Sequence, residues 1–273
     1  MPEPLLIERA GAVLHLRMNR PQVHNAFDPA LIAALTGALD AAATDTGLRA
    51  VVLCGLGPSF SAGADLQWMR DMAQASETAN REDALQLARL MRTLDTLPKP
   101  TIAKVHGPAF GGGVGLVACC DIAIGTPQAR FGLTEVRLGL LPAVISPYVV
   151  DAIGARQARR WFTTGESFDA DTALQLGLLH RVVPADALDA AVDAQLALLG
   201  RAAPAATAAA KALIRAAGDD LDADARDRSN AALIARLRVS AEGQEGLGAF
   251  LEKRTPAWAD PDIDGGTGPG GQA

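Results

Sequence analysis

The sequence predicts a layered α/β fold, and two patterns carry that prediction. Short apolar runs of strand length alternate with longer segments whose apolar residues recur at helical spacing. Proline, glycine and aspartate mark the joints between them. Apolar residues fill 49% of the 273 positions, enough to bury a large core.

The elements follow in order. Residues 12–18 alternate, with Leu14, Leu16 and Met18 on one face and His15 and Arg17 on the other, which predicts a half-buried strand. Asp28 and Pro29 supply an N-cap and a first-turn proline for a helix reaching about residue 43. Residues 50–54 are continuously apolar and suit a strand buried on both faces. Leu87, Leu90, Met91 and Leu94 place a helix over 78–97, which Pro98 and Pro100 end. A strand over 101–105, a glycine-rich turn, a small helix over 112–119 and a strand at 122–124 come next. Ser146 and Pro147 read as the N-cap and first-turn proline of a further helix. Beyond about Pro184 the pattern is helical, alanine-rich over 204–217, with Leu233 and Leu237 on one stripe of the helix after it. From Asp260 the composition predicts a frayed tail. No internal repeat stands out.

Composition narrows the function. A formal charge of −6 and only four lysines argue against nucleic-acid or anionic-membrane binding, which need basic surface. Cys54, Cys119 and Cys120 lie in apolar runs without metal-ligand or redox spacing, as expected of buried thiols in a reducing compartment. With no leader signal and no apolar run of membrane-spanning length, a soluble, cytoplasmic protein is expected.

Two glycine-bearing turns and one glutamate stand out. The first turn, Phe60-Ser61-Ala62-Gly63-Ala64-Asp65, follows the buried strand. The second, running from His106 through Gly111, Gly112 and Gly113 to Gly115, joins a strand to a helix. Consecutive glycines let a ligand approach the backbone, and a helix N-terminus presents free N–H groups to an oxygen that gains negative charge. Tight helix–sheet packing explains such glycines equally well, and they fit neither a dinucleotide nor a Walker fingerprint. Glu135 sits among Leu133, Val136 and Leu138, an apolar setting that raises a carboxyl pKa. His106 reads as a structural hydrogen-bonding group, His15 and His180 as surface groups, Asp121 as a brace of the core, and the charges from Arg70 to Asp83 as a solvated, mobile flank.

The order and spacing of Phe60–Asp65, Gly111–Leu116, Cys120-Asp121-Ile122 and Phe131–Glu135 resemble the enoyl-CoA hydratase/isomerase (crotonase) family. Asn19-Arg20-Pro21 with Asn25-Ala26, and Phe250–Arg254, add to the resemblance, which covers residues 5–256. It implies a ClpP-like spiral of ββα units over 1–200, a helical trimerisation region over 201–257 and a flexible tail over 258–273. It implies an acyl-CoA substrate and a homotrimer or a homohexamer built as a dimer of trimers. By the same resemblance the N–H groups of Ala62 and Gly112 form an oxyanion hole. Gly63, Ala64, Asp65, Gly111 and Gly115 line the acyl-CoA site. The stretch 22–24, including Val23 and His24, runs along the adenine end, and Lys253 of a neighbouring subunit approaches a CoA phosphate. Glu135 carries the proton. Coenzyme A is part of the substrate, and no metal or other cofactor is expected.

Two departures from the family pattern bear on the reaction. Hydratases of the family carry a further glutamate where this chain has Gly115. A single carboxylate suits the family's 3,2-enoyl-CoA isomerases, which move one proton from C2 to C4. The segment Leu141–Pro147, with Ala143, Val144 and Ile145 narrowing the acyl pocket, replaces a glycine-rich turn. It resembles members that hydrate branched enoyl-CoAs of the methylglutaconyl or carboxygeranoyl type, which favours hydration. A carboxylate on the substrate, or a water held by backbone near Gly115, would then stand in for the missing group. A silent acyl-CoA-binding homologue is the non-enzyme alternative. A serine protease lacks a convincing nucleophile–histidine–carboxylate set.

Overall fold

In a computed structural model, residues 3–218 and 222–259 are described. Two compact units divide at Val192 and Asp193. In the first, strands β1 (Leu5–Ala10), β2 (Val13–Met18) and β3 (Ala50–Gly55) surround helix α1 (Pro29–Thr44) in the chain. Helices α2 (Leu66–Gln74) and α3 (Glu77–Asp95), strands β4 (Thr101–Val105) and β5 (Ala109–Phe110), and helix α4 (Gly112–Cys119) follow. Then come β6 (Ile122–Gly125), β7 (Arg130–Gly132), a 3-10 turn (Thr134–Leu138), α5 (Ser146–Thr164), β8 (Ser167–Asp169), α6 (Ala170–Leu176) and β9 (Arg181–Val182). Helix α7 (Leu188–Arg201) spans the division, and α8 (Pro204–Ala216), α9 (Ala223–Val239) and α10 (Ala241–Glu252) belong to the second unit. The predicted tail lies outside the described residues from 260 onward. The Trp258 indole N–H donates to the Arg201 carbonyl, 3.2 Å, and its ring lies over Gly246.

A six-stranded sheet has the order β1-β2-β3-β4-β6-β9, with β1 and β2 antiparallel and every other pair parallel. Strand β3 lies inside it and all six of its residues are buried, the reason its sequence is continuously apolar. A three-stranded sheet, β5-β7-β8, stands apart from it. Asp28 caps α1 as expected, accepting from the Leu31 N–H. Helix α5 begins one residue off: its N-cap is Ile145, and Ser146 is the first helical residue. Asp121 braces the sheet, accepting from the N–H and hydroxyl of Thr101 at the head of β4. His180 is more than a surface group, because its Nδ1 accepts the Ala123 N–H of β6.

Both glycine turns and the glutamate leave the carboxyl ends of strands. One turn leaves β3, the second leaves β4, and Glu135 follows β7. In open α/β sheets this is where ligands gather. No helix among the described residues is long and apolar enough to cross a membrane.

Candidate active site

The turn after β3 is held from the side by the loop after β2. Asn25, fully buried, accepts the Arg20 N–H and donates to the carbonyls of Leu56 and Ser59. Ser61 donates its hydroxyl to the Asn25 carbonyl, and His24 Nδ1 lies 2.9 Å from the Ser59 hydroxyl. Arg20 bridges Asp28 and Asp65 at 2.9 and 3.0 Å. Asp65 also caps α2, accepting from the N–H groups of Gln67 and Trp68. Burial pushes the Asp65 carboxyl up, but those amides and the Arg20 guanidinium outweigh it and hold it below the usual value.

This bracing decides which backbone donors are free. The Ala62 N–H donates to the His24 carbonyl, 2.9 Å, so it is already spent inside the fold. A bridge to Phe27 uses the Gly63 carbonyl and the Asp65 N–H and leaves the N–H of Ala64, between them, without an acceptor among the described residues. The expected assignment of Ala62 as a donor is therefore corrected: the open N–H in this turn is that of Ala64. On the second turn, Gly112 is the first residue of α4, and its N–H has no acceptor among the described residues either, as the start of a helix dictates.

Ala64 and Gly112 line one cleft of about 480 Å³ together with Ala62, Gly63, Gly111 and Glu135. Among the described residues lining it, Glu135 alone has an ionisable side chain. Its Oε2 is buried without a partner. Burial pushes this carboxyl above its usual value, against a smaller opposing pull from its own backbone N–H. The glycines are also packing devices. A Cβ on Gly111 (φ +50°) would stand 3.1 Å from Glu135 Oε1, and one on Gly112 would enter the Phe27 ring at 2.7 Å. The packing reading of the glycine turn therefore holds, and the same close packing sets Gly111, just before the open Gly112 N–H, against the Glu135 carboxyl.

The remaining predicted residues fall elsewhere. Gly115 is buried in α4 and does not line the cleft; a Cβ there would lie 2.3 Å from Ile145 Cγ2. Ile145 fills the place a side chain at 115 would take. Ala143, Val144 and Ile145 do line the cleft. Asp65, Val23 and His24 do not, although His24 adjoins the turn through its contacts to Ser59 and Ala62. Lys253 is the left-handed C-cap of α10 in the second unit. His106 has the structural role expected, with Nε2 2.9 Å from the Gly57 carbonyl, and burial lowers its pKa. The three cysteines are buried thiols outside any disulfide. Trp68, Phe27 and Leu141 also line the cleft. Sequence reasoning passed over Trp68 because an exposed-looking charged segment gave no sign that one of its side chains turns inward.

An α/β fold whose strand ends present two free N–H groups and one desolvated carboxyl in an apolar cleft is a crotonase-type architecture. The comparisons agree. The enoyl-CoA hydratase/isomerase profile matches residues 8–261, and the chain belongs to that family. It is 36% identical to the 2,3-dehydroadipyl-CoA hydratase of Escherichia coli, covering 92% of this chain and 97% of that one. An enoyl-CoA hydratase structure from Shewanella pealeana aligns with a TM-score of 0.91 at 44% identity, covering 93% and 96% of the two chains. Pseudomonas aeruginosa AtuE aligns with a TM-score of 0.91 at 40% identity, covering 94% of this chain and all of that one (100%).

Proposed function

We propose that this protein adds water to 2-enoyl thioesters of coenzyme A, with Glu135 as the single acid–base group and the N–H groups of Ala64 and Gly112 as the oxyanion hole. The observation that carries the proposal is the meeting of two unpaired amides and one unpartnered carboxyl oxygen in one apolar cleft. The thioester oxygen rests on the two N–H groups. As the Glu135 carboxylate takes a proton from water, the oxygen of that water bonds to C3, and the C2–C3 π electrons move onto the thioester as an enolate. Charge on that oxygen grows in the transition state, so fixed donors favour the transition state over the ground state, each by about 3–4 kcal/mol. Glu135, now protonated, returns the proton to C2 and is regenerated. A carboxyl raised by burial suits both halves of this cycle.

Coenzyme A would leave the cleft over residues 22–24, which adjoin the Ser59–Ala62 turn, with the adenine near Val23 and His24. A homotrimer, alone or doubled to a hexamer, would cover the apolar side chains that the second unit exposes, Phe250, Leu251, Val239 and Ile214 among them. Lys253 of a neighbouring subunit would then reach a CoA phosphate. A cytoplasmic location fits the acyl-CoA pool, and a branched acyl chain fits the Leu141–Ile145 wall.

One observation favours a second reading. With Ile145 in the place of a second carboxylate, a lone Glu135 suffices to carry a proton between C2 and C4, the 3,2-isomerase reaction. Turnover of paired substrates separates the two. Loss of the 2-enoyl chromophore with a mass gain of one water supports hydration. Appearance of that chromophore from a 3-enoyl thioester without mass change supports isomerisation instead. Binding with neither reaction leaves a silent homologue.

A further inference from the structure

Helix α2 follows directly on the turn that carries Ala64, yet contributes no buried residue. Few contacts hold it. Asp65 caps its start, and the Asn80 side-chain amide of α3 reaches back to the Met72 carbonyl, 2.9 Å, at its end. Between these, Trp68 packs against the core cluster and lines the cleft. Its indole N–H donates to the Asp83 carboxylate of α3, 3.1 Å. An indole is flat, and its placement follows from two side-chain torsions. Fixing the one polar atom at its edge therefore fixes where its apolar face stands. A charged acceptor makes that hydrogen bond stronger than a neutral one would.

We infer that Trp68 determines which acyl groups the cleft accepts, and that Asp83 is a positioning residue that holds the indole where it does so. The inference rests on reading the cleft as an acyl-thioester site. Trp68 is the largest side chain lining a cleft whose walls, Thr134 and Glu135 apart, are apolar side chains or glycine, so acyl selection against the indole is by volume and contact rather than by charge. Without the Asp83 carboxylate the indole N–H turns toward water and carries the ring with it, changing the width of the cleft while leaving Glu135 and the two amides in place.

The test reads selectivity rather than total activity. For the parent and the variants Trp68→Ala, Trp68→Phe, Asp83→Ala and Asp83→Asn, kcat/KM is measured for crotonyl-, 3-methylcrotonyl- and 2-hexenoyl-CoA. Binding of butyryl- and hexanoyl-CoA is measured in parallel, so acyl preference is read even where turnover is absent. Since one methylene in an apolar pocket shifts discrimination by about 10–200-fold, removing an indole should move the hexenoyl-to-crotonyl ratio by at least about tenfold in Trp68→Ala. Asp83→Ala should move the ratio in the same direction by less, and Asp83→Asn, which keeps an acceptor, should restore the parent ratio. In a Trp68→Phe background, which has no N–H, replacing Asp83 should change nothing further. If every variant scales all substrates and both ligands by one common factor, the inference is overturned, whatever the size of the loss. A parent that binds acyl-CoA without turning it over contradicts the proposed reaction alone, because the binding ratio still tests Trp68.

Discussion

Ile145 offers the sharpest handle on why the cleft has one carboxylate. Placing a glutamate at Gly115 forces its Cβ to 2.3 Å from Ile145 Cγ2 and 2.8 Å from Ile145 Cβ, closer than packed atoms tolerate. Overpacking of this kind costs about 1–3 kcal/mol. A carboxylate driven in among Ile145 and Met91 without a partner adds several more. Gly115→Glu should therefore lose about 3 kcal/mol or more, a drop in melting temperature of roughly 6–12 °C for a domain of this size. Ile145→Ala alone removes a side chain that is 2% exposed and should cost about 2–5 kcal/mol through the cavity it leaves. Together the changes should cost less than their sum by about 2 kcal/mol, because the glutamate stem refills the space the isoleucine vacates. Thermal and urea melts of the parent, both single variants and the double variant give the coupling, and hydration assays on the double variant show whether a second carboxylate raises turnover. Strict additivity, or a Gly115→Glu protein that melts with the parent, would refute the claim that Ile145 occupies the second position.

Three further predictions concern the carboxyl. Glu135→Gln should reduce turnover by about 10²–10⁴-fold while leaving CoA-thioester affinity nearly intact, as calorimetry of a saturated acyl-CoA would check. Because burial raises the Glu135 carboxyl, the acid limb of kcat/KM should lie above the ordinary glutamate range; a limb at the ordinary value would contradict the desolvated setting. The same shift sets a stability sign. The folded state holds this proton more tightly, so the group's contribution is fully present below its unfolded pKa and is lost as pH rises through the folded pKa. Melts across that window should find Glu135→Gln more stable than the parent at neutral pH, with the difference shrinking toward acid.

What the sequence disclosed tracks how local the signal is. The start of α1 was legible because Asp28 and Pro29 cap it from within one turn, and α4 because three glycines open it. Strands β5 and β9 have two residues each, too few for any periodicity, and exist only through their partners β7 and β6. Helix α5 starts one residue from the Ser146-Pro147 signal: Ile145, packed over Gly115, stands at the N-cap, and the Ser146 hydroxyl donates to the Ala143 carbonyl instead of capping the first turn. The glutamate and both glycine turns were readable as a set, but not which amide in the first turn is free. That depends on the His24 carbonyl, whose position is set by the buried side chain of Asn25 and the left-handed backbone at 24 and 25. A motif places a turn; only the fold says which of its N–H groups is already taken.

If an enolate forms on the Ala64 and Gly112 amides with Glu135 as its base, the protein must exchange protons at C2 of a bound thioester. A saturated thioester such as butyryl-CoA has no double bond to hydrate, so deuterium entering C2 from D2O reports enolate formation alone. The parent protein should exchange C2, observed by NMR, and Glu135→Gln should lose that exchange at saturating butyryl-CoA. Exchange that persists in Glu135→Gln would place the base elsewhere, and a bound butyryl-CoA that never exchanges with the parent would contradict the oxyanion hole itself.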